Sequence, residues 1–214
     1  MDTLSDVLNA IRLKGAVYFT IEASPPWVAA APAAQEIASA VMPGVQHLIE
    51  YHVVTKGTCW GGIAGEEPVR LSEGDVIVFP HGDAHVISSA PGMRGAPDMD
   101  VYQQRQLPFM LTLGEGGPEK VNLVCGFLGC DTRPFNPLME TLPRVLHVRG
   151  DQGKGGGWLG QFIRFTLSEA EDKRPGGDCV LAKVSELMFI EVVRRHLETL
   201  PPEQTGWLAG LRDG

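Results

Sequence analysis

The stretch Gly74-Asp75-Val76-Ile77-Val78-Phe79-Pro80-His81-Gly82-Asp83-Ala84-His85 decides how the chain is read. A Gly-Asp pair opens it, four apolar residues rich in β-branched side chains follow, and Pro80 stops them, which is the pattern of a short buried strand. Pro80 cannot donate to a sheet ladder and Gly82 tolerates positive φ. The chain must therefore turn tightly where it delivers two imidazoles, His81 and His85.

Upstream, the run from His47 to Ile63, HLIEYHVVTKGTCWGGI, reads as a strand, a Lys56-Gly57 turn and a second strand. Leu48, Glu50, His52 and Val54 share one face of the first strand, and Ile49, Tyr51 and Val53 share the other. Both faces carry apolar residues, so Glu50 and His52 either face a polar cavity or lie on the outer side; periodicity does not choose. Downstream, VNLVCGFLGCD places Val121, Leu123, Cys125 and Phe127 on one face of a buried strand, and Gly126 and Gly129 permit a bulge and turn that return Cys130 towards Cys125. His81, His85, Cys125 and Cys130 then make a complete tetrahedral set for zinc, closed and structural, with no open position for catalysis. The plainer alternatives are a core histidine bonded to a backbone carbonyl, and cysteines acting as small hydrophobes.

The flanks are read in the same way. Leu4, Val7, Leu8 and Ile11 recur at helical spacing, predicting a helix over residues 3 to 13; Val17, Phe19 and Ile21 alternate as a strand, and Trp27 seals a core edge. Residues 88 to 118, rich in Gly and Pro, are either a mobile flap or flank a pairing strand around Phe109 to Leu113, and they are a poor place for chemistry. Asn136 and Pro137 cap a brief helix that ends by Pro143, and Arg144 to Val148 are extended. Gly153 to Gly157 form a linker. Beyond it the period turns helical, with Trp158, Phe162 and Phe165 on one side, then Asp178 capping a helix over residues 179 to 200. That helix is apolar nearly all round between Leu187 and Val193, which predicts burial partly against a second subunit. An apolar patch, GWLAGLRDG, closes the chain.

The 214 residues are enough for one barrel with helical additions. Eighteen basic against 26 acidic residues leave a net charge of -8, which argues against direct contact with nucleic acid. Four scattered cysteines fit a reducing compartment, and the lack of a basic, apolar leader or a long apolar run points to a cytoplasmic chain with no membrane span.

The spacing in Gly74 to His85, a glycine, five residues, a proline, one residue, a glycine, two residues and a histidine, resembles the second signature of the cupin β-barrels. That resemblance implies a barrel histidine, usually on a metal, at His85. Counting back from Gly57, Glu50 matches the glutamate of the first cupin signature, but its two histidines would fall near Pro43 and Val45 and are absent. An open metal site of the dioxygenase or isomerase kind is thereby disfavoured. With YHVVTKGTCW, VCGFLGCDTRPFNPLMETLP and LAKVSELMFIEVVRRHLETL added, the chain resembles the cupin-type regulatory domain of AraC-family transcription regulators.

The resemblance implies a mainly β fold: a cupin-like double-stranded antiparallel β-barrel sensor domain over 1–152, then a helical segment over 153–214 for dimerisation and linkage. It implies a small-molecule effector, with Glu50, Tyr51, His52, Trp60 and Phe79 as contacts, a homodimer, and DNA bound through a separate module expected beyond Gly214. No enzymatic activity is expected. The alternative is a free-standing cupin metalloenzyme with Glu50, His52 and His85 as ligands.

Overall fold

The computed structural model describes residues 3–103, 109–131, 137–150, 160–161, 165–166, 168–169, 172 and 174–201. The expectations for Asn136, for the linker at 153–157, for Trp158 and Phe162 and for the closing stretch 206–214 lie outside the described residues. In order the chain forms α1 (Thr3–Ile11), β1 (Lys14–Ser24), β2 (Val28–Ala31), α2 (Ala34–Val41), β3 (His47–Lys56), β4 (Thr58–Ile63), β5 (Val69–Ser72), β6 (Val76–Phe79) and β7 (His85–Ser88). A 3-10 turn (Met99–Gln103) follows, then β8 (Phe109–Gly114), β9 (Val121–Cys130), α3 (Pro137–Thr141), β10 (Leu146–Val148) and the long helix α4 (Gly177–Thr199).

The strands form two sheets, one of six in the order β10-β6-β3-β9-β1-β8 and one of four in the order β2-β7-β4-β5. Two apolar clusters follow from strand alternation. Leu48 and Val54 of β3, Leu123 and Phe127 of β9, and Ile87 and Leu71 of the smaller sheet meet between the two sheets. Ile49, Tyr51 and Val53 of β3 and Val124, Leu128 and Cys130 of β9 meet on the other side of the large sheet, under the helices. Glu50 and His52 share the parity of Leu48 and Val54, so both lie on the inner side, the choice that periodicity left open.

Most pairings are antiparallel, as expected, but β8 runs parallel to β1, with Phe19 beside Phe109 and Ala23 beside Leu113. The strand expected around Phe109 is present, and it returns to the edge of the large sheet after the long excursion that follows β7.

Helix α4 was expected to meet a second subunit over part of its surface. Its inner side, Leu181, Val184, Met188, Phe189, Val192, Val193 and Leu197, is buried in the outer cluster of its own chain. The fit is close: a Cβ on Gly15 of β1 would lie 2.4 Å from the Ala182 carbonyl oxygen and 2.8 Å from Ser185 Cβ. Gly15 N–H also donates to Glu186 Oε1 at 3.2 Å. Of the apolar residues between 187 and 193, Leu187 stays exposed and Ile190 is half-buried. The helix begins earlier than Asp178, after Gly176 at φ 86°, which leaves Asp178 in the first turn, where its charge suits the helix dipole. α4 packs on the large sheet, chiefly against β1. Among the described residues no helix is long and apolar enough to cross a membrane.

Candidate functional site

The expected turn after β6 is present, and Gly82 is the residue that permits it. Its φ is 67°, and a Cβ there would lie 2.5 Å from Ala34 Cβ and 2.8 Å from the Leu48 carbonyl oxygen, so both conformation and space call for glycine. The turn ends by placing His85 at the start of β7, buried and facing β3 across the gap between the sheets. There the His52 and His85 rings meet with Nε2 atoms 2.7 Å apart, Phe79 stacks on His85 at a centroid distance of 3.8 Å, and Cys125 Sγ lies 2.9 Å from His52 Nδ1.

The protons in this group follow from one fixed point. His85 Nδ1 lies 2.9 Å from the Asp83 carbonyl oxygen, which can only accept, so Nδ1 carries the hydrogen and Nε2 is bare. His52 Nε2–H must then donate to His85 Nε2, which leaves His52 Nδ1 bare to accept from the Cys125 thiol. The result is a neutral chain directed from Cys125 through His52 and His85 to the Asp83 carbonyl. Burial favours this neutrality at every member. It lowers His85 to about 4, with the Asp83 contacts opposing, and takes His52 well below 6.5, helped by His85. Burial likewise holds the Cys125 thiol well above 9.0, with Cys59 and Glu50 adding to it.

Glu50 stands beside this chain, its Oε2 4.0 Å from His85 Nε2 and its Oε1 buried without a hydrogen-bond partner. Burial raises the carboxyl to about 8. An unmatched buried polar group of this kind costs roughly 1–3 kcal/mol. Glu50, His52, His85 and Cys125 all line a cavity of about 110 Å³ between the sheets. Its remaining walls are mainly apolar, with Phe19 and Ile21 from β1, Leu111 and Leu113 from β8, and Phe127 from β9. Tyr102 of the 3-10 turn completes it, so the segment set aside from the sequence as a poor place for chemistry supplies part of the wall.

The sequence-predicted zinc ligands are not gathered. His85 and Cys125 lie in this group, whereas His81 Nε2 donates to the Leu142 carbonyl at 2.9 Å, and Cys130 is buried in the cluster beneath the helices. The expected turn does not occur, because β9 runs without a break through Cys130, and the register irregularity beside Gly126 lies in β1, between Val17 and Phe19. Residues 125 and 130 differ by an odd number, so their side chains leave opposite faces roughly 17 Å apart along the strand. The two glycines serve packing instead: a Cβ on Gly126 would lie 2.4 Å from Tyr51 Oη, and one on Gly129 would lie 2.4 Å from Val45 Cγ1.

The residues that do converge do not fit a metal ion as arranged. Two imidazole nitrogens on one tetrahedral ion stand roughly 3.3 Å apart with both lone pairs free, whereas His52 and His85 are 2.7 Å apart with a proton between them. Cys125 approaches the opposite edge of the His52 ring and cannot share an ion with its Nε2. Among the described residues no group of three or more His, Cys, Asp or Glu is placed to hold one.

A family model described as cupin matches residues 2–198. The chain is a cupin. It is similar over its whole length to a protein of Streptomyces lividans named "Putative AraC-like transcription regulator", with 27% identity and 65% of that relative covered. A protein of the same name from Streptomyces antibioticus is 26% identical, again over 100% of this chain and 65% of the relative. The HTH-type transcriptional regulator AlkR of Acinetobacter baylyi is 22% identical over 99% of this chain and 66% of its own length. The cupin thus spans about two thirds of the curated relatives it matches.

Of the residues expected to contact a ligand in this cupin, Glu50 and His52 line the cavity and Phe79 lies behind His85. Tyr51 faces the helices, where its hydroxyl meets Ser185 Oγ at 2.7 Å. Trp60 is half-buried and alternates with the inward Cys59 and Gly61, so it lies on the outer face of the smaller sheet. The alternation of Phe19 with Ile21 and of Cys125 with Phe127 was the signal that could have found the apolar wall. No comparable pattern announced Tyr102.

Proposed function

We propose that this cupin is the effector-binding part of an AraC-like transcription regulator, with the effector held in the cavity between the sheets and DNA bound by a module outside this chain. The observation that carries the reading is the buried group of Glu50, His52 and His85 in a mainly apolar cavity, where Glu50 Oε1 has no hydrogen-bond partner among the described residues. Pockets of this make-up, apolar walls with a few convergent polar atoms, are the usual form of small-molecule sites. The names of the relatives supply the class of protein. An occupant would press on β3 and β9, whose other faces carry α4, and so bias the helical layer that leads on to the DNA module.

Self-association through the outward side of α4, where Leu187 is exposed, belongs to the same reading. Enzymatic activity does not. The metalloenzyme alternative has Glu50, His52 and His85 in one place, but the His85 Nε2 lone pair is engaged by His52, whose own Nε2 carries the proton. Zinc, expected from the sequence, finds no gathered ligand set, and elemental analysis of the purified chain is expected to give well under one metal ion per chain.

A screen of small uncharged compounds by thermal shift tests the proposal. An effector raises the melting temperature in step with ligand excess over its dissociation constant. Leu111→Trp, which fills the cavity, is expected to abolish that gain while the variant still unfolds cooperatively. No stabilisation by any compound, or an unchanged gain in Leu111→Trp, would overturn it.

A further inference from the structure

The cavity also carries information about what it takes. Glu50 is 2% exposed, and of the polar atoms lining the cavity its Oε1 is the one both buried and without a hydrogen-bond partner among the described residues. The buried neighbours are committed, since His85 Nε2 accepts from His52 and Cys125 Sγ serves His52 Nδ1, while Asp98 is exposed and its Oδ1 accepts from Asp100 N–H at 3.1 Å. The lining includes two carboxyl side chains, Glu50 and Asp98, and no lysine or arginine. An anionic ligand would therefore lose its hydration among hydrocarbon walls with no cation to neutralise it. A cation would have to be stripped of water among hydrocarbon walls and held by one carboxylate, where desolvation offsets the attraction. A hydroxyl group can both donate and accept, so it satisfies the Glu50 carboxyl whichever oxygen carries the proton. The size is informative as well: about 110 Å³ is near the cavity of about 150 Å³ that takes one benzene ring.

Building on the effector reading above, we infer that the site binds a small uncharged molecule, one ring or a short hydrocarbon chain, carrying a single hydroxyl that pairs with Glu50. The hydrocarbon part lies against Phe19, Ile21, Leu111 and Phe127, and the hydroxyl takes the place that no protein group fills. Selectivity then comes from one hydrogen bond in an apolar pocket: molecules lacking the hydroxyl still enter, only more weakly.

Four probes of equal size separate the possibilities: benzyl alcohol, toluene, benzoate and benzylamine, each titrated calorimetrically and by thermal shift into the 214-residue chain and its E50L and E50Q variants. Benzyl alcohol is expected to bind about tenfold more tightly than toluene, the worth of one well-made hydrogen bond, and benzoate not at all. E50L should bind the two neutral compounds equally, and E50Q should keep the preference. The wild-type comparison stands even where a variant fails to fold. Equal binding of toluene and benzyl alcohol to the wild type, tightest binding of benzylamine, or an undiminished preference in E50L would overturn this inference while leaving the effector cavity in place. Failure of all four compounds to bind would overturn both.

Discussion

His52 and His85, 33 residues apart in sequence and on different sheets, are joined through their Nε2 atoms at 2.7 Å, with ring planes inclined by 60°. This bond spans the interior from one sheet to the other, with His52 Nε2–H donating and a neutral His85 accepting, the direction the Asp83 carbonyl dictates. A proton added to His85 would leave two N–H donors facing each other in a buried space, and one added to His52 would point at the Cys125 thiol.

The pH dependence of stability follows. Both histidines stay neutral in the folded chain while their unfolded counterparts take protons below pH 6.5, so acid removes the stability they contribute. Glu50 acts in the opposite sense: folded, it keeps its proton up to about pH 8, whereas the unfolded carboxyl ionises above pH 4.5, so stability falls as pH rises between those values. Between 4.5 and 6.5 two imidazoles oppose one carboxyl and stability rises with pH; from 6.5 to 8 Glu50 alone titrates and stability falls. Urea midpoints should therefore peak near pH 6.5, with limbs of about 1.4 kcal/mol per pH unit at most. Glu50→Gln should flatten the alkaline limb and steepen the acid one; a wild-type curve flat from pH 5 to 8 would contradict this account.

Tyr51 and Ser185 tie the large sheet to α4. Their hydroxyls lie 2.7 Å apart, with the Leu181 carbonyl 2.9 Å from Ser185 Oγ and the Ala16 carbonyl 3.3 Å from Tyr51 Oη as further acceptors. Tyr51→Phe is expected to cost about 1 kcal/mol in denaturant titrations. In a double-mutant cycle with Ser185→Ala the combined loss should be smaller than the sum of the two single losses.

Gly15→Ala should destabilise the fold more than a surface substitution would. The added methyl meets the Ala182 carbonyl and Ser185 Cβ, both part of a helix that cannot shift without disturbing its whole buried side. A loss of about 1–3 kcal/mol is expected from such overpacking. Circular dichroism would report the same helix content with a lower urea midpoint.

Thiol reactivity should divide the four cysteines one against three. Cys179 is exposed, while Cys59, Cys125 and Cys130 are buried. Burial raises Cys59 and Cys130 to about 12 and Cys125 well above 9.0. A chromogenic disulfide reagent at pH 8 is expected to modify one thiol promptly in the native chain and all four in denaturant. Prompt reaction of two or more would mean the interior is more open than described.

Much of the fold could be read from local pattern. The four apolar residues before Pro80, the turn at Gly82, the hairpin at Gly57 and the alternation along β3 and β9 all express rules of one or a few residues, and they hold. The side of β3 that faces the cavity was not readable, because both faces are apolar and the decision rests with α4, more than 120 residues later in the chain. The cysteine pair was misread because a glycine in a strand has two uses. It can break the strand, or it can make room for a neighbour's ring, and Gly126 makes room for Tyr51. The parity of Cys125 and Cys130 already separated them, provided the strand was unbroken. Tyr102 was beyond reach because a 3-10 turn in a stretch rich in Gly and Pro has no period to reveal its inward side.

Strand β9 holds the centre of the large sheet, paired to β3 on one edge and β1 on the other, and sends alternate side chains into the two apolar clusters. It therefore acts as a diaphragm between two chambers. Any volume gained or lost at Cys125 or Phe127 is felt one residue away at Val124, Gly126 and Leu128, across the thickness of a single sheet. On the effector reading proposed above, such a wall would transmit pressure directly, and no relay of switching side chains has to be invoked to carry news of an occupied interior to the helix outside.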